Sequence, residues 1–235
     1  MIFYITGNDT GVGKTVLTAT WTRYLRDRGH RVVALKPLAS GGRTDPRLLW
    51  ESAGRIIPID EVNPWWFRAP IAPAAAARRT GLRIELPRVV QHVQRVAQQF
   101  EIVLVEGAGG LLSPLGTNFD NRDLMQALQA RPIVVVPNRL GAVNQTRLVF
   151  EALAGTQLPR PHYVLVNQPH HHPAIRTHAE LLASYLPQNA LHFFPWLRTF
   201  PHSLRRAVPP AICNALTRLT TAVLKDTGDS RTHEG

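Results

Sequence analysis

Cysteine is almost missing from this 235-residue chain; Cys213 is its single example. One cysteine cannot close an internal disulfide, so a disulfide-stapled secreted scaffold is excluded and a reducing compartment, the cytoplasm, is expected. No apolar run approaches the ~20 residues that span a bilayer, so no membrane partner is expected. The opening Met1-Ile2-Phe3-Tyr4-Ile5 lacks the basic lead of a signal peptide. Acidic residues are also few, 16 against 27 Lys+Arg, which leaves a formal charge of +11. Such an excess would suit nucleic acid. The basic positions are nevertheless scattered, from Arg23 and Arg26 through Arg78 and Arg79 to Arg205 and Arg206, with no basic run or aromatic-interleaved strip. A nucleic-acid partner is therefore not expected.

Lysine is rarer still, with only Lys14, Lys36 and Lys225. Where a surface needs positive charge, this chain uses arginine. A retained lysine then marks a place that wants a compact ammonium rather than a planar guanidinium. Lys14 and Lys36 stand out before any motif is considered.

What the chain does contain is a βα rhythm. Short Val/Leu/Ile runs at 2–6, 31–36, 102–106, 133–137, 163–167 and 192–195 alternate with helical patterns at 14–28, 87–99, 121–129, 144–154, 174–185 and 210–224. Near-continuous apolar strands of this kind are buried on both faces, as in a mainly parallel sheet flanked by helices. Gly29 closes the first helix, Asp120 or Asn121 caps the third, and Asn144 caps the fourth. Ile56–Pro73, rich in proline and aromatics, reads as an ordered but non-regular insertion over one sheet edge. One domain over 1–225 is expected, followed by a frayed polar tail at 226–235.

Gly7-Asn8-Asp9-Thr10-Gly11-Val12-Gly13-Lys14-Thr15 follows a strand and opens a helix, the setting of a P-loop. Glycines there let backbone N–H groups turn toward phosphate oxygens, and the helix N-terminus adds favourable potential. Lys14 would reach the β- and γ-phosphates of ATP, and the Thr15 hydroxyl would ligate Mg2+. The strict pattern asks for glycine at Asn8. The fold class expected is thus α/β, a single-domain P-loop NTPase. Glu106 ends a buried strand before Gly107-Ala108-Gly109-Gly110, so it is placed to help hold magnesium beyond the carboxyl edge of the sheet. Lys36 ends the second strand, ahead of Ser40, and should face the same side. A second lysine there suggests another anion, or charge built up during transfer. Asp45 reads equally as a third magnesium ligand or as a helix cap before Pro46. The His170-His171-His172 run reads as solvated loop rather than a metal site, since adjacent histidines seldom converge on one ion. Trp65, Trp66 and Trp196 read as packing, although Trp196 could border a base.

Together these residues resemble the dethiobiotin synthetase family. The resemblance is carried by Gly7–Thr15, by Lys36–Gly41, by Val105–Gly110 and by Ser113-Pro114-Leu115. It continues in Leu140–Asn144, Val166-Asn167 and Pro195-Trp196-Leu197, in the same order over nearly the whole chain. That family also lacks the strict glycine at the position of Asn8. The resemblance implies ring closure of 7,8-diaminopelargonic acid with CO2 (or bicarbonate) at the expense of ATP, through a carbamate and its mixed anhydride with phosphate. It implies that Asp9, Gly11, Val12, Gly13, Lys14 and Thr15 bind the triphosphate and that Thr15, Asp45 and Glu106 hold Mg2+. Lys36 with Lys14, Thr10 and Ser40 would serve the carbamate, with Gly109 beside the substrate. Asn167, Pro195 and Trp196 would meet adenine. Gly141 and Asn144 would take the substrate carboxylate, in the family from the neighbouring subunit, so a homodimer is implied. Gly11, Gln168 and the short 41–45 loop depart from the family pattern. Two rivals remain: an amidoligase of the same superfamily, which usually carries a further glutaminase domain, and a switch ATPase of the partitioning and cell-division type. The second brings a signature lysine near the start of the loop, where this chain has Gly7-Asn8-Asp9.

Overall fold

The computed structural model describes residues 1–169, 173, 175–205 and 208–226. The histidine run at 170–172 and all but the first residue of the expected tail lie outside them. In chain order the strands are β1 (Ile2–Gly7), β2 (Val32–Leu35), β3 (Leu38–Ser40), β4 (Trp65–Phe67), β5 (Ile102–Glu106), β6 (Pro114–Gly116), β7 (Phe119–Asp120), β8 (Arg131–Asn138), β9 (His162–Asn167) and β10 (Leu191–Phe194). The helices are α1 (Lys14–Arg26), α2 (Thr44–Ser52), α3 (Ile59–Val62), α4 (Pro73–Arg79), α5 (Leu86–Ala97), α6 (Asn121–Ala127), α7 (Ala142–Leu153), α8 (Ile175–Ala183) and α9 (Pro210–Lys225).

All six apolar runs of the sequence become strands of one sheet, in the order β10-β9-β8-β1-β5-β2, with every neighbouring pair parallel. Their alternation sorts residues to two covered faces. Tyr4, Val33 and Val134 pack with α5 (Val89, Val93, Val96), α6 (Leu124, Met125), α7 (Val149) and α8 (Leu182). Phe3, Ile5 and Ile133 pack with α1 (Leu17, Trp21, Leu25) and α9 (Ile212, Leu216, Leu219) on the other face. The i, i+4, i+7 spacing of Val89, Val93 and Val96 gives α5 one apolar stripe, and each such side chain contributes roughly 1.5–3 kcal/mol by leaving water. The central strands are fully covered, which leaves their carboxyl ends as the place where polar loops meet.

Two expectations are corrected. Asn144 does not cap α7: that helix begins two residues earlier, behind Gly141 at φ 89°, and Asn144 is an exposed residue of its first turn. A glycine in the left-handed region ends the preceding loop more tightly than an asparagine side chain could. The 56–73 segment is not irregular throughout, because it contains α3 and β4, and β4 pairs in parallel with β3. Elements of four and three residues are too short to show a hydrophobic period. Asp120 does cap α6, accepting from Arg122 N and Asp123 N while Asp123 accepts from Asp120 N, a reciprocal capping box.

Candidate active site

The loops at the carboxyl ends of β1, β2 and β5 converge. Residues 8–13 form the first of them, with Gly11 at φ 73° and Gly13 at φ 102°. Both angles lie in the left-handed region, where glycine carries no Cβ penalty. The loop turns back on itself: Lys14 Nζ donates to the Asp9 carbonyl at 2.8 Å, and Thr10 N donates to Asp9 Oδ1 at 2.6 Å. Asn8 Nδ2 donates to Gln145 Oε1 at 2.7 Å, tying the loop to α7. Val12 turns its side chain into the core, and Gly7 has no room for a Cβ, which would stand 2.6 Å from Val12 Cγ2.

At the heart of the site Lys36 Nζ donates to Glu106 Oε1 at 2.6 Å and to Asp45 Oδ2 at 2.8 Å. Thr15 Oγ1 donates to the same Glu106 oxygen at 2.8 Å. Asp45 is half-exposed on the first turn of α2, whereas the Lys36 side chain is 9% exposed and that of Glu106 0%. Burial works to lower the Lys36 ammonium, but Glu106 and then Asp45 outweigh it and hold its pKa above the ordinary lysine value. Among the described residues Lys14 has no direct carboxylate partner of that kind, and burial lowers it to about 8 against the pull of Glu106 and with the push of the Lys36 charge.

Two cavities meet here. One, of about 340 Å³, is lined by Thr10, Gly11 and residues 13–16 with Glu106 and Phe200. The other, of about 400 Å³, is lined by Ala39, Ser40, Ala108, Ser113 and the Pro70–Pro73 turn. Thr10, Lys36, Asp45 and Gly109 line both. The structure thus brings together Thr10, Gly11, Gly13, Lys14, Thr15, Lys36, Ser40, Asp45, Glu106 and Gly109. Asn167 lies at the end of β9, and Pro195 and Trp196 follow the adjacent β10; none of the three lines either cavity. Gly141 and Asn144 are exposed at the start of α7 and also line neither.

Residues to which the sequence gave no such supporting role also emerge. Buried Asn121 accepts from Tyr4 Oη at 2.8 Å and donates to the carbonyls of Ala108 (3.0 Å) and Gly110 (2.8 Å), so one carboxamide shapes the loop after Glu106. Ser113 Oγ accepts from Gly110 N at 2.9 Å. Asn63, 1% exposed, donates to the Lys36 carbonyl at 2.8 Å and fixes the backbone that carries the ammonium. An asparagine before proline gives no signal of that kind by itself.

The residues also fit a magnesium ion. Among the described residues no three His, Cys, Asp or Glu side chains are grouped to hold a metal unaided. Magnesium does not require that; it commonly takes one or two carboxylates plus phosphate oxygens and water. Glu106 Oε2 is buried and has no hydrogen-bond partner among the described residues, an acceptor left open beside Thr15 and Asp45. A buried carboxylate oxygen without a partner is costly, and a cation would satisfy it.

A parallel sheet whose first strand runs through a glycine loop into a helix, with lysine and threonine at the helix start, defines a P-loop NTPase. Solved structures agree on the fold. The MinD cell division protein of Aquifex aeolicus superposes with a TM-score of 0.59 at 17% identity, covering 95% of this chain and 97% of that one. A putative plasmid partition protein of Borrelia burgdorferi B31, solved bound to AMPPNP, gives 0.62 at 12% identity, covering 95% and 98%. A family described as AAA domain matches residues 2–200. The sequence relatives are more specific. The ATP-dependent dethiobiotin synthetase of Anaeromyxobacter dehalogenans (strain 2CP-C) is 38% identical over 198 residues, 82% of this chain and 89% of the relative. That of Xanthomonas axonopodis pv. citri (strain 306) is 40% identical over 164 residues, 66% and 73% respectively. The chain belongs to the AAA domain family and, within it, to the ATP-dependent dethiobiotin synthetases, and is therefore an ATP-dependent ligase. No helix among the described residues is long and apolar enough to cross a membrane.

Proposed function

We propose that the chain closes 7,8-diaminopelargonic acid and CO2 into the cyclic urea dethiobiotin, consuming ATP in the presence of Mg2+. One observation carries the reading: the Lys36 ammonium stands where two cavities join, within 2.8 Å of two carboxylates, with the P-loop on one side and Ser40 and the Pro70–Pro73 turn on the other. A triphosphate in the first cavity and a diamine in the second would meet at that ammonium.

The chemistry then needs three steps. One amine adds to CO2 and loses a proton, giving a carbamate. A carbamate oxygen attacks the γ-phosphorus, the bond to ADP breaks, and a mixed anhydride results. The second amine attacks the carbamoyl carbon, and phosphate leaves as the ring closes. The protein's work is positioning and charge neutralisation. Asp9, Gly11, Val12 and Gly13 offer backbone N–H groups, and Lys14 offers its ammonium, to the triphosphate. Thr15, Asp45 and Glu106 would hold the magnesium, which neutralises phosphate charge. Lys36, with Thr10, Ser40 and Gly109, meets the carbamate; to do so its ammonium turns away from the carboxylates that it bridges here. Asn167, with Pro195 and Trp196 beside it, reads the base. The cytoplasm suits an unpaired Cys213.

A homodimer is part of the reading. Gly141 and Asn144 are exposed, Leu140 and Leu148 beside them are 63% and 61% exposed, and none of the four lines the two cavities. A second copy packed on this face would cover the leucines and present the helix N-terminus to the substrate carboxylate of its partner. The test is product identity. With ATP, magnesium, the diamine and 13C-bicarbonate, the label must appear in a cyclic urea; labelled carbamate without ring closure, or no incorporation, rejects the reading. The switch-ATPase alternative rests on the shared fold alone.

A further inference from the structure

We propose that Asn138 and His178 are positioning residues that lock the orientation of the Asn167 carboxamide and so set the preference for adenine over guanine nucleotides. The inference rests on the base-reading role given above to Asn167.

Asn138 ends β8, Asn167 ends β9, and the two are register partners, so their side chains leave the sheet as neighbours. Asn138 Nδ2 donates to Asn167 Oδ1 at 3.0 Å. On its other side Asn138 Oδ1 is 2.8 Å from Nδ1 of His178, carried by α8. Asn138 and His178 are each 4% exposed. An oxygen can only accept, so the imidazole must carry a proton on Nδ1. With its oxygen committed to His178, Asn138 has only its amide hydrogens to offer, and Asn167 must turn its oxygen toward them. Flipping Asn167 would set its NH2 against that of buried Asn138, leaving a buried donor unpaired. The chain β9 itself is braced at this end: Gln168 Nε2 donates to the Val166 carbonyl at 2.9 Å.

The consequence is a fixed hydrogen-bonding face. An amide oxygen has a second lone pair, so Asn167 still presents one acceptor and its NH2 donors in a set order. Adenine offers an amino donor beside the N7 acceptor and matches that order; guanine replaces the donor with the O6 acceptor. Guanine's O6 and N7 are both acceptors, so either orientation of the carboxamide makes one bond and one clash with it, whereas the locked orientation matches adenine twice and the flipped one not at all. Holding the carboxamide in the adenine-matching orientation therefore maintains discrimination, and the two buried residues behind it do the holding.

The experiment measures kcat/KM for ATP and for GTP in four variants of the full chain. Asn138→Asp keeps shape and burial but replaces the donor with a second acceptor, which turns the Asn167 amide over. The ATP:GTP ratio should fall by about tenfold or more, through loss on ATP with GTP little changed. His178→Leu should also lower the ratio, whereas His178→Asn, which keeps an N–H where Nδ1 stands, should preserve it. This pair distinguishes positioning from a merely structural role, since loss of packing would lower both nucleotides alike. Asn167→Ala separates this proposal from the reading beneath it. If Asn167→Ala abolishes discrimination while Asn138→Asp and His178→Leu leave it intact, the relay is wrong and the base-reading role survives. If Asn167→Ala leaves discrimination unchanged, the base-reading role fails and the relay falls with it.

Discussion

Replacing Lys36 by methionine keeps an unbranched side chain, one atom shorter, and removes the ammonium with its charge and N–H donors, so its effects can be worked from the structure. The side chain of Glu106 is 0% exposed and, among the described residues, would lose one of its two hydrogen-bond donors and keep Thr15. Removing one partner of a buried ion pair costs about 3–5 kcal/mol. The second pair, to half-exposed Asp45, adds little. Taking the low end, about 3 kcal/mol, and about 2–4 °C per kcal/mol for a chain of this size, the nucleotide-free variant should melt about 6–12 °C below the parent. Magnesium and ATP should recover much of that loss. They supply the missing cation, and a ligand at a hundred times its Kd adds about 2.7 kcal/mol. Turnover should vanish, because the ammonium assigned to the carbamate is gone. Thermal melts with and without Mg·ATP, together with direct titration of the nucleotide, read all three effects. The reasoning is refuted if nucleotide affinity falls in step with turnover, which would put Lys36 on the triphosphate, or if the melting point does not move.

Gly107→Ala should destabilise by about 1–3 kcal/mol, because the new Cβ would stand 2.2 Å from Asn121 Oδ1 and force apart the network that shapes the 108–113 loop; urea unfolding measures it, and a variant as stable as the parent contradicts it. Stability should also fall with acid, through a cluster far from the site. His162 Nδ1 lies 2.9 Å from His192 Nε2, and His162 Nε2 lies 3.0 Å from Asp226. Burial lowers both histidines, His192 to about 4. Because the folded-state pKa is depressed, the unfolded chain binds protons that the folded one refuses. The contribution is complete above about pH 6.5 and is lost as pH falls toward about 4, on the order of 3 kcal/mol for His192. His192→Gln should flatten the pH dependence of the unfolding free energy over that window; an unchanged slope would remove His192 as its source.

Much of the sheet was legible because burial on both faces writes a strand as an unbroken apolar run, and all six such runs became strands. The P-loop was legible because its glycines, Lys14 and Thr15 are demanded by backbone geometry and charge at fixed spacing. Asp45 was ambiguous from sequence; only the position of α2 beside β2 brings its carboxylate to Lys36. The short α3 and β4 left no periodic trace, and Asn144 looked like a cap because no sequence pattern reports that Gly141 adopts φ 89°. The partnerships of Asn121, Asn63 and the Asn138–His178 pair were invisible for a different reason. Each of these residues is polar, at the edge of an apolar segment, and its meaning depends on which carbonyl or amide lies across from it. Register and packing decide that, not spacing along the chain.

The central claim is that ATP cleavage here serves a carbamate formed at Lys36. Steady-state phosphate release, followed with Mg·ATP while 7,8-diaminopelargonate and bicarbonate are added singly and together, tests it most directly. The account predicts release only when both are present, and none from Lys36→Met under any condition. Release that proceeds without either compound, or that responds instead to added DNA, would contradict it.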